Sequence, residues 1–171
     1  MVMSKMKRLL MLGMAAALPL ALCACGSGSG DSKPEASPSA AAGEVKEAAI
    51  PDGGKLSAVC PDGWNDFSDE TSSTWTYSLY FSIADTAGVY SKPYFLIVYS
   101  DDVTTVSGAG EAVSIESNGA TWTGFYDSEY KSFNITKALD DKGSVTLMSV
   151  GMEENDSIFK AVLASVGVAR G

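Results

Sequence analysis

Between Trp75 and Ile83 every second residue is large and apolar (Trp75, Tyr77, Leu79, Phe81, Ile83), with Thr76, Ser78, Tyr80 and Ser82 between them. A period of two belongs to an extended strand with one face on a core, whereas a helix needs a period of 3.6. The stretch therefore predicts a strand over 75–83 and commits the chain to building a sheet. Tyr94-Phe95-Leu96-Ile97-Val98-Tyr99 is apolar on both faces, which suits a strand in the interior of that sheet, covered on both sides. Asp101-Asp102 ends it.

The next elements read as two hairpins and a helix. Residues 112–116 and 121–126 flank Asn118-Gly119, a dipeptide that tolerates the positive φ angles of a type I′ turn. A second pair, about 131–137 and 144–150, is joined through Asp140-Asp141-Lys142-Gly143, a polar turn with a glycine. After Glu153-Glu154-Asn155-Asp156 the period changes. Ile158, Phe159, Val162, Leu163 and Val166 fall on one side of a helix, with Asn155 or Asp156 as its cap and carboxylates at the favourable end of its dipole. The expected fold class is α+β: a single antiparallel sheet with a C-terminal helix packed on it. Asp85 to Lys92, with Gly88 and several polar residues, gives little sign of a second long helix.

Composition narrows the chemistry. The chain has no histidine, which removes the usual proton-transfer group near neutral pH and the commonest imidazole metal ligand, and with them Ser-His-Asp and Cys-His catalysis. Residues 51–171 carry 17 acids against 7 bases, a surface that repels phosphate backbones and anionic lipid, so no nucleic-acid partner is expected. Asp101-Asp102, Asp140-Asp141 and Glu153-Glu154 supply hard oxygen ligands, but without the spacing of a calcium loop. Turns and helix capping explain them. Neither a metal nor another cofactor is expected, and an enzyme working with carboxylates alone is the least favoured reading. Cys60, at the end of Leu56-Ser57-Ala58-Val59 and before Pro61-Asp62-Gly63-Trp64, has no basic neighbour to lower its pKa and reads as a small buried residue. Asn134-Ile135-Thr136 matches a glycosylation acceptor.

The N-terminus carries an address. Lys5, Lys7 and Arg8 precede an uncharged apolar run from Leu9 that closes on Leu22-Cys23-Ala24-Cys25. This is the layout of a secretory signal, and it resembles the bacterial prolipoprotein signal, whose lipobox ends in the cysteine that receives diacylglycerol. The resemblance implies removal of residues 1–24 and lipidation of Cys25. Cys23 offers a second register, which would put bulky Leu22 beside the cut. An uncleaved membrane helix is the alternative for such a run, opposed by Pro19 and the glycines that follow. Residues 25–50 read as a flexible linker; within it Gly26 to Gly43, opening Gly-Ser-Gly-Ser-Gly, has no aromatic or long aliphatic side chain to drive folding and spans roughly 20 to 25 Å as a coil. Ala41 to Ala49 is expected to form at most a transient helix stopped by Pro51. Residues 51–171 then form one globular β-rich domain.

Val59-Cys60-Pro61-Asp62-Gly63-Trp64, the paired strands and the closing Phe159-Lys160-Ala161-Val162-Leu163-Ala164-Ser165-Val166 resemble the PsbP-like, Mog-like domains of small lipoproteins over about residues 54–168. That resemblance implies an α/β/α sandwich and accessory or binding work without a shared set of catalytic residues. The expected location is the extracytoplasmic face of a cell membrane, held there by lipid. The expected role is non-catalytic binding of an envelope protein, or binding of a small envelope ligand such as a glycan. Aromatic faces serve both. Among Trp64, Trp75, Trp122, Tyr80, Tyr90, Tyr94 and Tyr126 most should be core. Tyr80, on the strand face opposite Trp75 and Leu79, is the expected contact residue.

Overall fold

The computed structural model describes residues 42–139 and 142–171. In chain order the elements are β1 (Gly43–Ala49), β2 (Lys55–Pro61), β3 (Asn65–Asp66), the four-residue helix α1 (Ser68–Thr71), β4 (Ser78–Ser82), β5 (Tyr94–Ser100), β6 (Glu111–Ser117), β7 (Ala120–Asp127), β8 (Ser132–Ala138), β9 (Ser144–Val150), α2 (Ser157–Ser165) and β10 (Gly167–Ala169). Every strand pairing is antiparallel. The α+β class with one C-terminal helix holds. The strands form two sheets rather than the single sheet expected, a large one ordered β3-β4-β5-β9-β8-β7-β6 and a small one ordered β1-β2-β10. The break falls at Pro61, which lacks an N–H, and at Gly63, whose φ of 80° turns the chain out of β2.

The core lies between one face of the large sheet and a cover made of the small sheet and α2. Leu79, Phe81, Phe95, Ile97, Val145, Leu147, Phe133, Ile135 and Trp122 project from five strands toward Leu56, Ala58 and Cys60 of β2 and Phe159, Val162 and Leu163 of α2, all buried. Phe133 and Phe159 stack at 4.3 Å between centroids. The helix begins where Asp156 accepts the Ile158 N–H at 3.0 Å. At its other end Lys137 donates to the Val166 carbonyl at 2.9 Å, while its ammonium lies 4.9 Å over the Trp122 ring. A cation at a helix C-terminus sits favourably at the negative end of the dipole, and the stem is buried on the way. That burial holds the Lys137 pKa below its usual value.

The central and C-terminal elements follow the sequence pattern closely. β5 sits inside the sheet between β4 and β9, as its unbroken apolar run requires. The β6–β7 turn places Asn118 at φ 49° and Gly119 at φ 74°, the two positive angles of a type I′ turn. Asp140 and Asp141, expected in the second hairpin turn, lie outside the described residues.

Three expectations are corrected. Residues 43–49, assigned to the linker and to a transient helix, form β1. Good helix formers are overruled there by pairing with β2 from Gly43↔Pro61 to Ala49↔Lys55 and by the Lys55–Glu47 ion pair at 2.6 Å, so folded structure starts before Pro51. The strand expected over 75–83 shortens to β4, because Tyr77 adopts φ 57° and the Trp75 N–H bonds back to the Thr71 carbonyl. Val166 leaves the helix as its extended cap and leads into β10, which pairs with β2.

The connection from β5 to β6 has a geometric consequence. β6 lies at the far end of the sheet, four strand spacings or roughly 19 Å from β5, and residues 101–110 cross that distance over the face away from the core. The Thr104 N–H bonds the Ser144 hydroxyl at 3.0 Å, and the Asn134 amide reaches the Ser107 carbonyl at 3.5 Å. A Cβ placed on Gly108 would stand 3.5 Å from Phe125. A loop thus covers what a second helix would cover in a sandwich.

Candidate functional site

Tyr80 does project from the face opposite Leu79, but it is only 1% exposed. Its expected role as an accessible contact is corrected by what lies over it. Phe67 before α1, Trp75 after it, and Tyr90 from the β4–β5 loop close on this end of the sheet. The Tyr80 ring packs 6.1 Å from Phe67, 6.1 Å from Tyr90 and 5.6 Å from Tyr94, with Tyr90 and Tyr94 edge-on at 5.4 Å. Tyr90, half exposed, is the most open ring of the cluster, with Trp75 and Tyr94 partly covered.

The Tyr80 hydroxyl has no hydrogen-bond partner among the described residues. Ser82, the nearest polar candidate along the strand, uses its own hydroxyl to donate to the Pro93 carbonyl at 3.0 Å and to accept the Ala84 N–H at 3.1 Å. Burial first, then the neighbouring Tyr90 and Tyr94 phenols, push the Tyr80 pKa up to about 12. Tyr94 is raised for the same two kinds of reason, burial and the Tyr90 phenol. Tyr80 and Tyr94 therefore stay neutral at physiological pH and offer rings and hydroxyls rather than charge.

Register places Tyr80, Leu96, Met148, Asn134 and Phe125 in one row across five strands. The Asn134 side-chain oxygen is likewise buried without a partner among the described residues. Asn134 belongs to the Asn-Ile-Thr acceptor pattern, yet it sits in the middle of β8 under the crossing loop.

A second surface feature escaped the sequence reading. Along the free side of β6 runs a groove walled by residues 114–118 and, on α2, by Lys160, Leu163 and Ala164, with a volume of about 360 Å³. It adjoins a cleft of about 380 Å³ beside Tyr126, Glu153 and Asn155, and the two share Glu154 and Lys160. Asn118 ties the β6–β7 turn to the helix by donating to the Ala164 carbonyl at 3.2 Å. Periodicity assigned both β6 and α2, but only the topology makes β6 a sheet edge and sets the helix beside it.

The remaining candidates resolve into ordinary contacts. Cys60 is buried, and burial pushes its thiol up to about 11, with Asp66 adding to the effect. Asp101 accepts the Tyr99 hydroxyl at 2.9 Å, and Glu153 pairs with Lys131 at 2.6 Å across the surface. Among the described residues no three acidic or cysteine side chains converge as a metal site, and no helix is long and apolar enough to cross a membrane. Cys25 lies outside the described residues. Comparison of the chain with family models, curated proteins and solved structures finds no match.

Proposed function

We propose that this chain is a membrane-anchored extracytoplasmic lipoprotein whose β-rich domain has a non-catalytic role in binding or assembling an envelope protein. The observation that carries the reading is the order along the chain. A basic start and an apolar run close on Leu22-Cys23-Ala24-Cys25, a stretch of small and polar residues follows, and a packed β structure comes after it. Two acyl chains on Cys25 would hold the domain stably at the membrane, which one chain does not. The strand leading into Pro61-Asp62-Gly63-Trp64 and the closing helix support the finer assignment to a divergent PsbP-like, Mog-like sandwich in which the 101–110 crossing takes the place of a helix.

Two measurements test the reading. The mature N-terminal peptide is expected to begin at Cys25 with acyl mass added, and Cys25→Ser to release the protein from membranes; an unmodified N-terminus further along refutes the anchor. Crosslinking in the native cells is expected to recover one protein in proportion, and reproducible absence of any partner refutes the binding role. A second reading, binding of a small envelope ligand such as a glycan, is favoured by one observation. Half-exposed Tyr90 stands against Tyr94 above a buried hydroxyl that lacks a partner. Unchanged melting across a glycan panel would dismiss it.

A further inference from the structure

Four strands end the two sheets: β1 and β10 in the small one, β3 and β6 in the large one. An open edge offers unpaired backbone groups to any passing chain, and proteins blunt such edges with short strands, lysines, prolines or bulges. Three of the four are blunted here. β3 has two residues and β10 three, while β1 carries Lys46 among Glu44 and Glu47, with Lys46 paired to Glu44 at 2.9 Å. β6 has seven residues, no lysine or proline, and a continuous register with β7 from Glu111↔Tyr126 to Ser117↔Ala120.

The alternation of an antiparallel hairpin says which groups are free. In a two-residue hairpin the pair flanking the turn, Ser117↔Ala120, exchanges both hydrogen bonds, and every second pair repeats that pattern. The N–H and C=O groups of Ala112, Ser114 and Glu116 therefore point away from β7. Among the described residues nothing bonds to them. Those of Ser114 and Glu116 face the groove whose other wall is α2, so an added strand would lie there against Ile115 and Ala164 rather than in open water.

Charge selects the occupant. Glu116 and Glu154 line the groove with Lys160 as the one cation among its walls, and Glu111 begins the same strand, paired in register with Tyr126, whereas Glu153 nearby is already matched by Lys131. We propose that the groove between β6 and α2 receives an extended, lysine- or arginine-bearing segment of a partner protein, which adds to β6 as an eighth strand. Main-chain hydrogen bonds supply the affinity in such strand addition, and alternate side chains supply the selection. One set packs toward Ala164 and Ile115; the other lies on the face of Ser114 and Glu116, where a basic side chain opposes the glutamate. This inference rests on the protein-binding reading above and names the surface and partner chemistry for it.

The test uses the full chain in detergent and a short peptide of alternating lysine and valine. Its controls are the same peptide with alternate amides N-methylated and its glutamate-for-lysine counterpart. Binding is expected to shift the amide resonances of Ala112, Ser114 and Glu116. It is expected to weaken about tenfold or more on N-methylation, which removes donors worth roughly one such factor together, and to weaken with the glutamate peptide. Ser114→Pro deletes an outward N–H while leaving the ladder to β7 whole, as edge strands allow; it should weaken binding as N-methylation does, and Ser114→Ala should not. The N-methylated peptide probes the unaltered protein, so the test stands even if Ser114→Pro fails to fold. Equal binding of both peptides, shifts centred on Tyr90, or no binding overturns the proposal. So do slow hydrogen exchange at Ser114 in the free monomer, which would mean that the chain's own segment fills the edge, and a dimer joined through β6. A partner recovered by crosslinking alongside a failed peptide titration would sink the groove and leave the broader reading standing.

Discussion

The two faces of the large sheet solve the same problem differently. On the core face, rings and branched side chains from five strands meet a second sheet and a helix, and Trp122, Phe81, Phe95, Ile97, Ile135 and Leu147 are inaccessible to water. On the other face a four-residue helix, a tyrosine-bearing loop and the 101–110 crossing cover a mixed surface in which Thr136, Thr146 and Asn134 lie among Leu96, Val98 and Met148. Regular elements bury an apolar face and satisfy their own backbone. Irregular cover leaves polar ends to be matched one at a time; of the three buried side-chain oxygens without partners among the described residues, Tyr80 and Asn134 belong to the irregularly covered side and Ser149, in register with Phe95 and Phe133, to the core face. The centre of the core face is buried throughout, whereas the other face buries Phe67, Tyr80 and Leu96 and leaves Tyr94, Val98 and Met148 partly covered.

The largest expected effect sharpens that contrast. Trp122→Ala or Phe133→Ala should cost about 3 to 5 kcal/mol in urea unfolding, because the surrounding strands and helix cannot collapse into the space. Leu96→Ala on the opposite face should cost about 2 kcal/mol, the low end for such a change, since its loop cover can relax. Equal losses at Trp122 and Leu96 would break the comparison. Asp156→Ala, which removes the acceptor for the first free N–H of α2 on the core side, should cost about 1 kcal/mol with no change in the spectroscopic signature of the tyrosines.

The smallest effect at neutral pH is the most specific. Tyr80→Phe deletes a buried hydroxyl with no partner and should leave stability unchanged or slightly raised, whereas a loss of about 1 kcal/mol or more would reveal a hydrogen bond there. Its consequence grows with alkalinity. The Tyr80 phenol has a folded pKa of about 12 against an ordinary value of 10.0, so the unfolded chain releases its proton first. Rising pH then favours unfolding between about 10 and 12, and the contribution is complete below that window. Tyr80→Phe should flatten this part of the alkaline decline. Cys60, at about 11 against 9.0, adds a decline of the same sign that Cys60→Ala should remove.

Much of the sheet was legible because its signals are local. The unbroken run at 94–99 predicted an interior strand, Asn118-Gly119 a tight turn, and the spacing of Phe159, Val162 and Leu163 a helix on the core. What failed were segments whose state is set by a distant partner. Residues 43–49 read as linker until β2 claims them, and Trp75 and Tyr77 keep strand spacing although Tyr77 turns the backbone into the left-handed region. Tyr80 was placed on the correct face and given the wrong exposure, because alternation reports which side a residue faces and not what covers that side. The β6 groove had no sequence signal, since edge position is a property of strand order.

By itself, then, the sequence determined the period and therefore the type of most elements, the turn between β6 and β7, the cap of α2, and an acidic surface without histidine chemistry; each follows from neighbours along the chain. Tertiary structure alone decided that there are two sheets, that β1 joins the fold, that the tyrosines are roofed over, and that β6 is left open beside a helix. Among the tyrosines the roof covers Tyr80 and leaves Tyr90 half exposed; these outcomes depend on strand order and on which groups find distant partners, and a one-dimensional pattern carries neither.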